Sequence, residues 1–335
     1  MKVLVTGGGG FLGRALVNKL LRRGDEVRVF ARGDYPDLVR DGAELVRGDL
    51  ADPAVVADAC QEREVVFHVA ALAGIWGPRT SFERTNILGT ENVLAGCQQH
   101  GVERLVYTSS PSVVFPKGKV DIAGWNESAP YPERFGCAYS RTKAIAEEKV
   151  LRAGRDNRLR AASLRPHLIW GPGDAHLIPR VVSRAKEGNL VRVGSGTNRV
   201  DLTYVDNAAD AHLLAADALD SNPDVAGKAY FISDGAPVEL WTWINDLLTR
   251  LDVPPVRRAI SYRTAATIGG VMEAVYATLR LRQEPRMTRF LASQLSGDHY
   301  FSIENARRDL GYEPAVDNET GMKQLVDWLR ETSAS

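Results

Sequence analysis

Lys2-Val3-Leu4-Val5-Thr6-Gly7-Gly8-Gly9-Gly10-Phe11-Leu12-Gly13 is the stretch that decides how this chain folds. Lys2 to Val5 read as a short buried strand, and the glycines follow without a spacer. From Arg14 to Arg23 apolar residues recur at helical spacing through Ala15, Leu16, Leu20 and Leu21, and Gly24 is a natural helix stop. Strand, glycine loop and helix in direct succession form the context of a phosphate-binding turn. Gly7, Gly10 and Gly13 have the spacing G-x-x-G-x-x-G, which permits a tight turn and lets backbone N–H groups approach a pyrophosphate at the helix N-terminus. A merely flexible glycine loop leaves the flanking strand and helix unexplained.

Working outward, a second strand at Glu26 to Phe30 ends in Ala31-Arg32, where many dinucleotide-binding chains place a carboxylate on the adenine ribose. Arg32 would instead pair with a 2′-phosphate, so NADP(H) is preferred and NAD(H) is the second choice. Gly48-Asp49-Leu50 closes the next strand, Glu44 to Val46, and sets Asp49 to accept from the adenine amino group. After a helix at Pro53 to Ala59, the buried strand Glu64 to Ala71 ends in Ala70 and Ala71, small enough for a dinucleotide to pass close by. His68 within it reads as a core histidine. Asn86, on the following helix, reads either as a brace for the active-site strand through its amide or as a helix-surface residue.

The strand Arg104 to Tyr107 delivers Thr108-Ser109-Ser110-Pro111-Ser112 to the carboxyl edge of the sheet, where open α/β sheets bind ligands. A serine there can donate to a substrate carbonyl, and no G-x-S-x-G elbow marks it as a nucleophile. A polar loop, Phe115 to Cys137, leads to Tyr139-Ser140-Arg141-Thr142-Lys143 at the start of a helical stretch. Residues four apart share a helix face, so the Tyr139 phenol and Lys143 ammonium can serve one reacting group. A nearby cation would bring the phenol below its usual pKa of ~10. The strand Ala161 to Leu164 then runs into Arg165-Pro166-His167-Leu168-Ile169-Trp170-Gly171, whose backbone can cover a nicotinamide.

Lysines plus arginines and aspartates plus glutamates both number 42, so no overall field draws in nucleic acid or an anionic membrane. Cys60, Cys97 and Cys137 form no metal-type cluster with the histidines, so no metal is expected and the thiols read as reduced, in a cytoplasmic protein. The apolar start is too short for a signal peptide, and Ala265 to Leu281 is broken by Glu273 and Arg280, which leaves it short of a membrane span.

In this order, the glycine loop, Asp49, Ser110, Tyr139 with Lys143 and the Arg165-Pro166 turn resemble the extended short-chain dehydrogenases/reductases. The likeness runs nearly the whole length and is strongest to the 3β-hydroxysteroid dehydrogenase-like branch, through the runs VTGGGGFLG, RGDLADP, LIWGPGD and GKAYFIS. It implies an α/β fold, a doubly wound Rossmann-type parallel sheet with a smaller mixed carboxyl-terminal lobe for substrate. Residues 1–168 would bind the dinucleotide, with 202–232 returning to that domain, while 169–201 and 233–330 bind substrate. The resemblance implies Ser110, rather than Ser109, as the catalytic serine beside Tyr139 and Lys143. Its cofactor set is Gly7, Gly10, Phe11, Leu12, Gly13, Arg32, Asp49, Leu50, Ala70, Ala71, Tyr139, Lys143, Pro166 and Ile169. The implied reaction is NADPH-dependent reduction of a lipid-like 2-alkyl-3-oxo acid in long-chain olefin biosynthesis. The alternatives are 3β-hydroxysteroid or sterol-4-carboxylate dehydrogenation, and a nucleotide-sensing module without catalysis. A homodimer through the tyrosine helix is also implied.

The carboxyl-terminal portion says less. Gly194 to Asp201 reads as a hairpin, Ala208 to Leu219 as a helix, Lys228 to Ile232 as a strand, and Trp241 to Leu251, Ala265 to Leu281 and Arg289 to Leu295 as helices. The stripe Ile268, Val271, Met272, Val275, Tyr276 and Leu279 reads first as core, with a substrate channel, a membrane surface or a partner-enzyme contact as the sharper alternative. Arg165, His167, Arg180, Arg192 and Arg199 are candidates to meet a substrate carboxylate.

Overall fold

The computed structural model describes residues 1–156, 159–175 and 177–334. The first half runs through β1 (Lys2–Thr6), α1 (Phe11–Arg22), β2 (Glu26–Ala31), α2 (Pro36–Arg40), β3 (Glu44–Arg47), α3 (Pro53–Cys60) and β4 (Val65–His68). It continues with α4 (Arg79–Phe82), α5 (Gly89–His100), β5 (Arg104–Thr108), β6 (Ile122–Trp125), α6 (Ala138–Arg155) and β7 (Arg160–Pro166). The second half holds β8 (Ile169–Trp170), α7 (Leu177–Lys186), β9 (Arg192–Val193), β10 (Arg199–Val200), β11 (Thr203–Tyr204), α8 (Val205–Ser221) and β12 (Ala229–Ile232). After these come β13 (Val238–Glu239), α9 (Leu240–Arg250), β14 (Ala259–Ile260), α10 (Tyr262–Thr278), α11 (Arg289–Gln294), β15 (His299–Phe301), α12 (Glu304–Leu310) and α13 (Asn318–Ala334).

Seven strands form one parallel sheet in the order β12-β7-β5-β4-β1-β2-β3. Side chains of a strand alternate between faces, and β1 uses both. Val3 and Val5 pack with Leu16, Val17 and Leu20 of α1 and with Ala208, Ala211 and Ala215 of α8. Leu4 points the other way, into a cluster with Val93 and Cys97 of α5 and Ala146 and Val150 of α6. Burial of both faces is what makes these strands continuous apolar runs and allows an all-parallel sheet. The chain winds outward from β1 through β2 and β3, then crosses to β4 on the other side. Between β1 and β4, at the carboxyl ends of the strands, lies the topological switch point where such sheets open a ligand crevice.

Three expectations from the sequence differ. Gly194 to Asp201 is no hairpin: β9 pairs with β14, and β10 with β13 and β15, so both short strands find partners distant in sequence. The polar loop from Phe115 to Cys137 contains β6, which pairs in parallel with β15. The 265–281 stripe is not core. Only Ala265 and Gly269 of α10 are buried, while Ile268, Val271, Val275 and Leu279 are exposed. Local periodicity marks an apolar face but cannot say whether another element covers it. A further apolar cluster, around Trp170, Trp241 and Trp243, joins α9 and α13 to β8.

Candidate active site

The switch point opens into a cleft of about 940 Å³. Its walls bring together every residue that the sequence marked for catalysis or cofactor: Gly7, Gly10, Phe11, Leu12, Gly13, Arg32, Asp49, Leu50, Ala70, Ala71, Ser110, Tyr139, Lys143, Pro166 and Ile169. Within its wall the glycine loop enters α1. Gly7 has φ +72°, and a Cβ there would lie 2.8 Å from the Ala70 Cα, so β1 and β4 can approach this closely only through glycine. Gly13 packs on the Gly7 carbonyl, where a Cβ would collide with backbone. The N-cap of α1 is Gly10, with no side-chain hydrogen bond to the helix, which leaves the first-turn amides facing the cleft wall for an anionic ligand. A long cleft with an amide-lined turn at its waist fits a dinucleotide.

Past β2 the cleft is flanked by Arg32, exposed and without an ion pair among the described residues. Its neighbour Asp34 pairs with Arg47 at 3.2 Å. Asp49 sits opposite, its Oδ1 accepting the Ala51 N–H at 3.0 Å and its Oδ2 3.3 Å from Arg84. Tyr35, which the sequence reading passed over, lines the same end, with its ring laid against Gly9 and below the Arg14 guanidinium. An aromatic residue just beyond the end of β2 was the available signal.

At the other end stand the catalytic candidates. Ser110 accepts the Ser112 N–H at 3.2 Å and donates to the Ser112 Oγ at 3.0 Å, which caps a 3-10 turn over Pro111–Val114. Burial pushes the Tyr139 phenol up to about 12, and the Ser110 hydroxyl is the neighbour that draws it back. The Ser109 hydroxyl is instead buried without a hydrogen-bond partner among the described residues. Lys143 is 1% exposed, donates to the Thr108 carbonyl at 2.6 Å and lies 4.0 Å from the Tyr107 ring centre. Burial lowers its ammonium to about 7, and Glu147, one helical turn on, acts against that. The expected lowering of the Tyr139 pKa by Lys143 is therefore not found. The cation is turned toward a carbonyl and an aromatic face, and desolvation of the phenol dominates.

Behind this pair lies a buried polar network. Glu147 is fully buried and accepts from Arg165 at 2.6 Å, from Tyr131 at 2.7 Å and from Ser163 at 2.8 Å. Burial alone would raise its carboxyl, but Arg165 holds it below the usual range. Asn86 accepts the Leu72 N–H at 2.8 Å and donates to the Leu72 carbonyl and to Thr142, each at 3.1 Å, so it ties the loop after β4 to the tyrosine helix. His68 is buried between Thr6 and Thr90, and burial lowers it to about 3. Cys137 is the N-cap of α6, its thiol pushed up by burial.

None of the five basic candidates for a substrate carboxylate lines the cleft. Arg165 is 3% exposed and committed to Glu147, His167 is buried against His299 at 2.7 Å and kept neutral by burial, and Arg180 pairs with Glu284 at 2.7 Å. Arg192 lies along Gly196, and Arg199 stacks over Tyr300.

Comparison with known proteins agrees with this geometry. The pattern of the 3-beta hydroxysteroid dehydrogenase/isomerase family matches residues 4–261. A 2-alkyl-3-oxoalkanoate reductase of Stenotrophomonas maltophilia is 50% identical over 326 residues, 97% of this chain and 98% of its own. A decarboxylating sterol-4-alpha-carboxylate 3-dehydrogenase of Candida albicans is 35% identical, over 98% of this chain and 97% of its own. The solved structure of MoeE5 in complex with UDP-glucose and NAD superposes with a TM-score of 0.76 at 25% identity, over 99% of this chain and 100% of that one.

Proposed function

Given that the chain belongs to the 3-beta hydroxysteroid dehydrogenase/isomerase family of extended short-chain dehydrogenases/reductases, and is an NAD(P)-dependent oxidoreductase acting on an alcohol or ketone, we propose that it reduces the ketone of a lipid-like 2-alkyl-3-oxo acid to the 3-hydroxy acid. The convergence of Ser110, Tyr139 and Lys143 at one end of a cleft whose waist is the glycine loop carries the reaction. The 50% identity to a reductase of that substrate carries the substrate class and, with it, a place in long-chain olefin biosynthesis.

The nicotinamide, when bound, supplies the hydride. Gly7, Gly10 and Gly13 hold the pyrophosphate by backbone approach, Phe11 and Leu12 present the helix amides, and Asp49 and Leu50 flank the adenine. Ala70 and Ala71 leave room along the cleft, and Pro166 and Ile169 cover the nicotinamide end. Ser110 donates a hydrogen bond to the substrate carbonyl and orients it toward Tyr139. With its pKa raised by burial, the Tyr139 phenol is protonated throughout the neutral range and passes that proton to the carbonyl oxygen as the alcohol forms. Lys143 holds ribose hydroxyls, its ammonium anchored on the Thr108 carbonyl. Residues 1–168 and 202–232 act as the dinucleotide half and 169–201 with 233–330 as the substrate half, the apolar cluster around Trp170 supporting the latter. A cytoplasmic homodimer formed through α6 completes the reading, on family likeness.

Arg32 makes NADPH the preferred reductant. Arg32→Ala is expected to weaken NADPH binding about 10- to 100-fold, the value of a charge-assisted pair to phosphate, and to leave NADH nearly unchanged. Fluorescence titration of each nucleotide checks this, and equal losses would remove the argument.

The decisive experiment is a panel of 2-alkyl-3-oxo acids against 3-keto and 3β-hydroxy sterols, with both nucleotides. Turnover confined to the oxo acids is expected. The 35% identity to a sterol dehydrogenase makes sterols the second reading, and a clear sterol preference would put it first.

A further inference from the structure

The apolar face of α10 is unpartnered in the described fold. Ile268, Val271, Val275 and Leu279 recur at three- and four-residue steps, so they form one stripe about 16 Å long on a single side of the helix. Val271 and Leu279 are 60% and 63% exposed, and Leu281 extends the row at 43%. The opposite side is anchored: Gly269 packs against the backbone of Thr288 and Arg289, and Glu273 pairs with Arg289 at 2.6 Å. The stripe is therefore held facing outward.

The charge around it is one-sided. Between residues 257 and 289 stand seven arginines and two glutamates, although the whole chain is neutral. Both glutamates are spent in ion pairs, Glu273 with Arg289 and Glu284 with Arg180. Arg263, Arg280 and Arg282 are exposed and have no ion pair among the described residues, while Arg286 lies near enough to Glu187 to act on it. An apolar stripe bordered by unpaired cations complements a surface that is apolar beneath and anionic at its face, whereas a second copy of the same surface would bring like charges together. No described helix is long and apolar enough to cross a membrane, so contact would be interfacial.

The helix also reaches the cleft. Trp76 donates from Nε1 to the Leu281 carbonyl at 3.1 Å and meets the Tyr276 ring edge-on at 6.2 Å, and the loop it belongs to begins at Ala70, Ala71 and Ala73 in the cleft wall.

We propose that α10 and the arginines flanking it dock the enzyme on an anionic lipid surface, with the cleft loop held at the docked side through Trp76. This stands on the surface alone and does not depend on the substrate class proposed above. The test is co-sedimentation of the full chain with vesicles of phosphatidylcholine, alone or with phosphatidylglycerol. Binding is expected only with phosphatidylglycerol, and is expected to fall as salt rises. Val271→Glu/Leu279→Glu and Arg280→Ala/Arg282→Ala should each reduce it at least about tenfold, with NADPH affinity unchanged. If the glutamate variant folds poorly, the arginine variant decides, since it leaves the apolar face intact. No binding to phosphatidylglycerol vesicles, or binding that neither variant weakens, would overturn the proposal. So would a solution dimer of the wild type that Val271→Glu dissociates, which would assign the stripe to a second copy of the chain.

Discussion

Tyr139→Phe is expected to lower kcat about 10²- to 10⁴-fold, the range supplied by a positioned general acid, while NADPH affinity stays close to that of the wild type. The substitution removes one oxygen and keeps the ring, so packing at the head of α6 is preserved and the loss reports the proton. With the phenol raised to about 12, the wild-type proton is present at every pH where the enzyme is folded and neutral, and acidifying the buffer cannot restore what the variant lacks. Single-turnover kinetics with preloaded NADPH, beside a fluorescence titration of the nucleotide, separates the two effects. Turnover within a few-fold of wild type would remove Tyr139 from the mechanism.

The second large effect concerns stability. Arg165→Met leaves the fully buried Glu147 carboxylate without its cation, and breaking a buried pair from one side costs about 3–5 kcal/mol. The loss should depend on pH with a definite sign. In the wild type Glu147 is held below its ordinary pKa, so its contribution is present above the unfolded value and lost as pH falls through the folded one. In the variant, burial without Arg165 drives the carboxyl the other way, so the folded state binds the extra proton and gains as pH falls. The stability gap between the two proteins should therefore narrow from neutral toward mildly acid pH. Urea denaturation across that range measures it, and Arg165→Met/Glu147→Leu should recover much of the loss. A gap below about 1 kcal/mol, or one independent of pH, would show that the pair is not the keystone of the network behind Lys143.

The sequence made legible what local chemistry dictates. Strand, glycine loop and helix follow from composition and spacing, and the carboxyl ends of successive parallel strands place Ser110 and Tyr139 on one edge. Where partners lie far apart in the chain, the reading failed. Nothing near Arg165 says that it answers Glu147 across the interior, and nothing near Arg192 or Arg199 says that β9 and β10 pair away from each other. The stripe on α10 was visible, but its exposure depends on what the rest of the chain leaves uncovered. The Tyr139 pKa misled for a related reason: the motif states which groups are neighbours, while burial, set by the whole fold, decides which neighbour dominates.

The place of β12 at the end of the sheet has a consequence for how the protein is made. β7, seven residues whose last six are all buried, receives its outer partner only from β12, and the face above it is covered by α8. A nascent chain that has emerged through β7 already contains the glycine loop, both serines, Tyr139 and Lys143. It still presents an unpaired apolar edge and one side of the sheet covered only in part, by α1, the two features that invite association with other unfinished chains. The seven-stranded sheet is thus complete only after Ile232 has left the ribosome, and its outer edge waits on residues that follow the tyrosine helix in the chain.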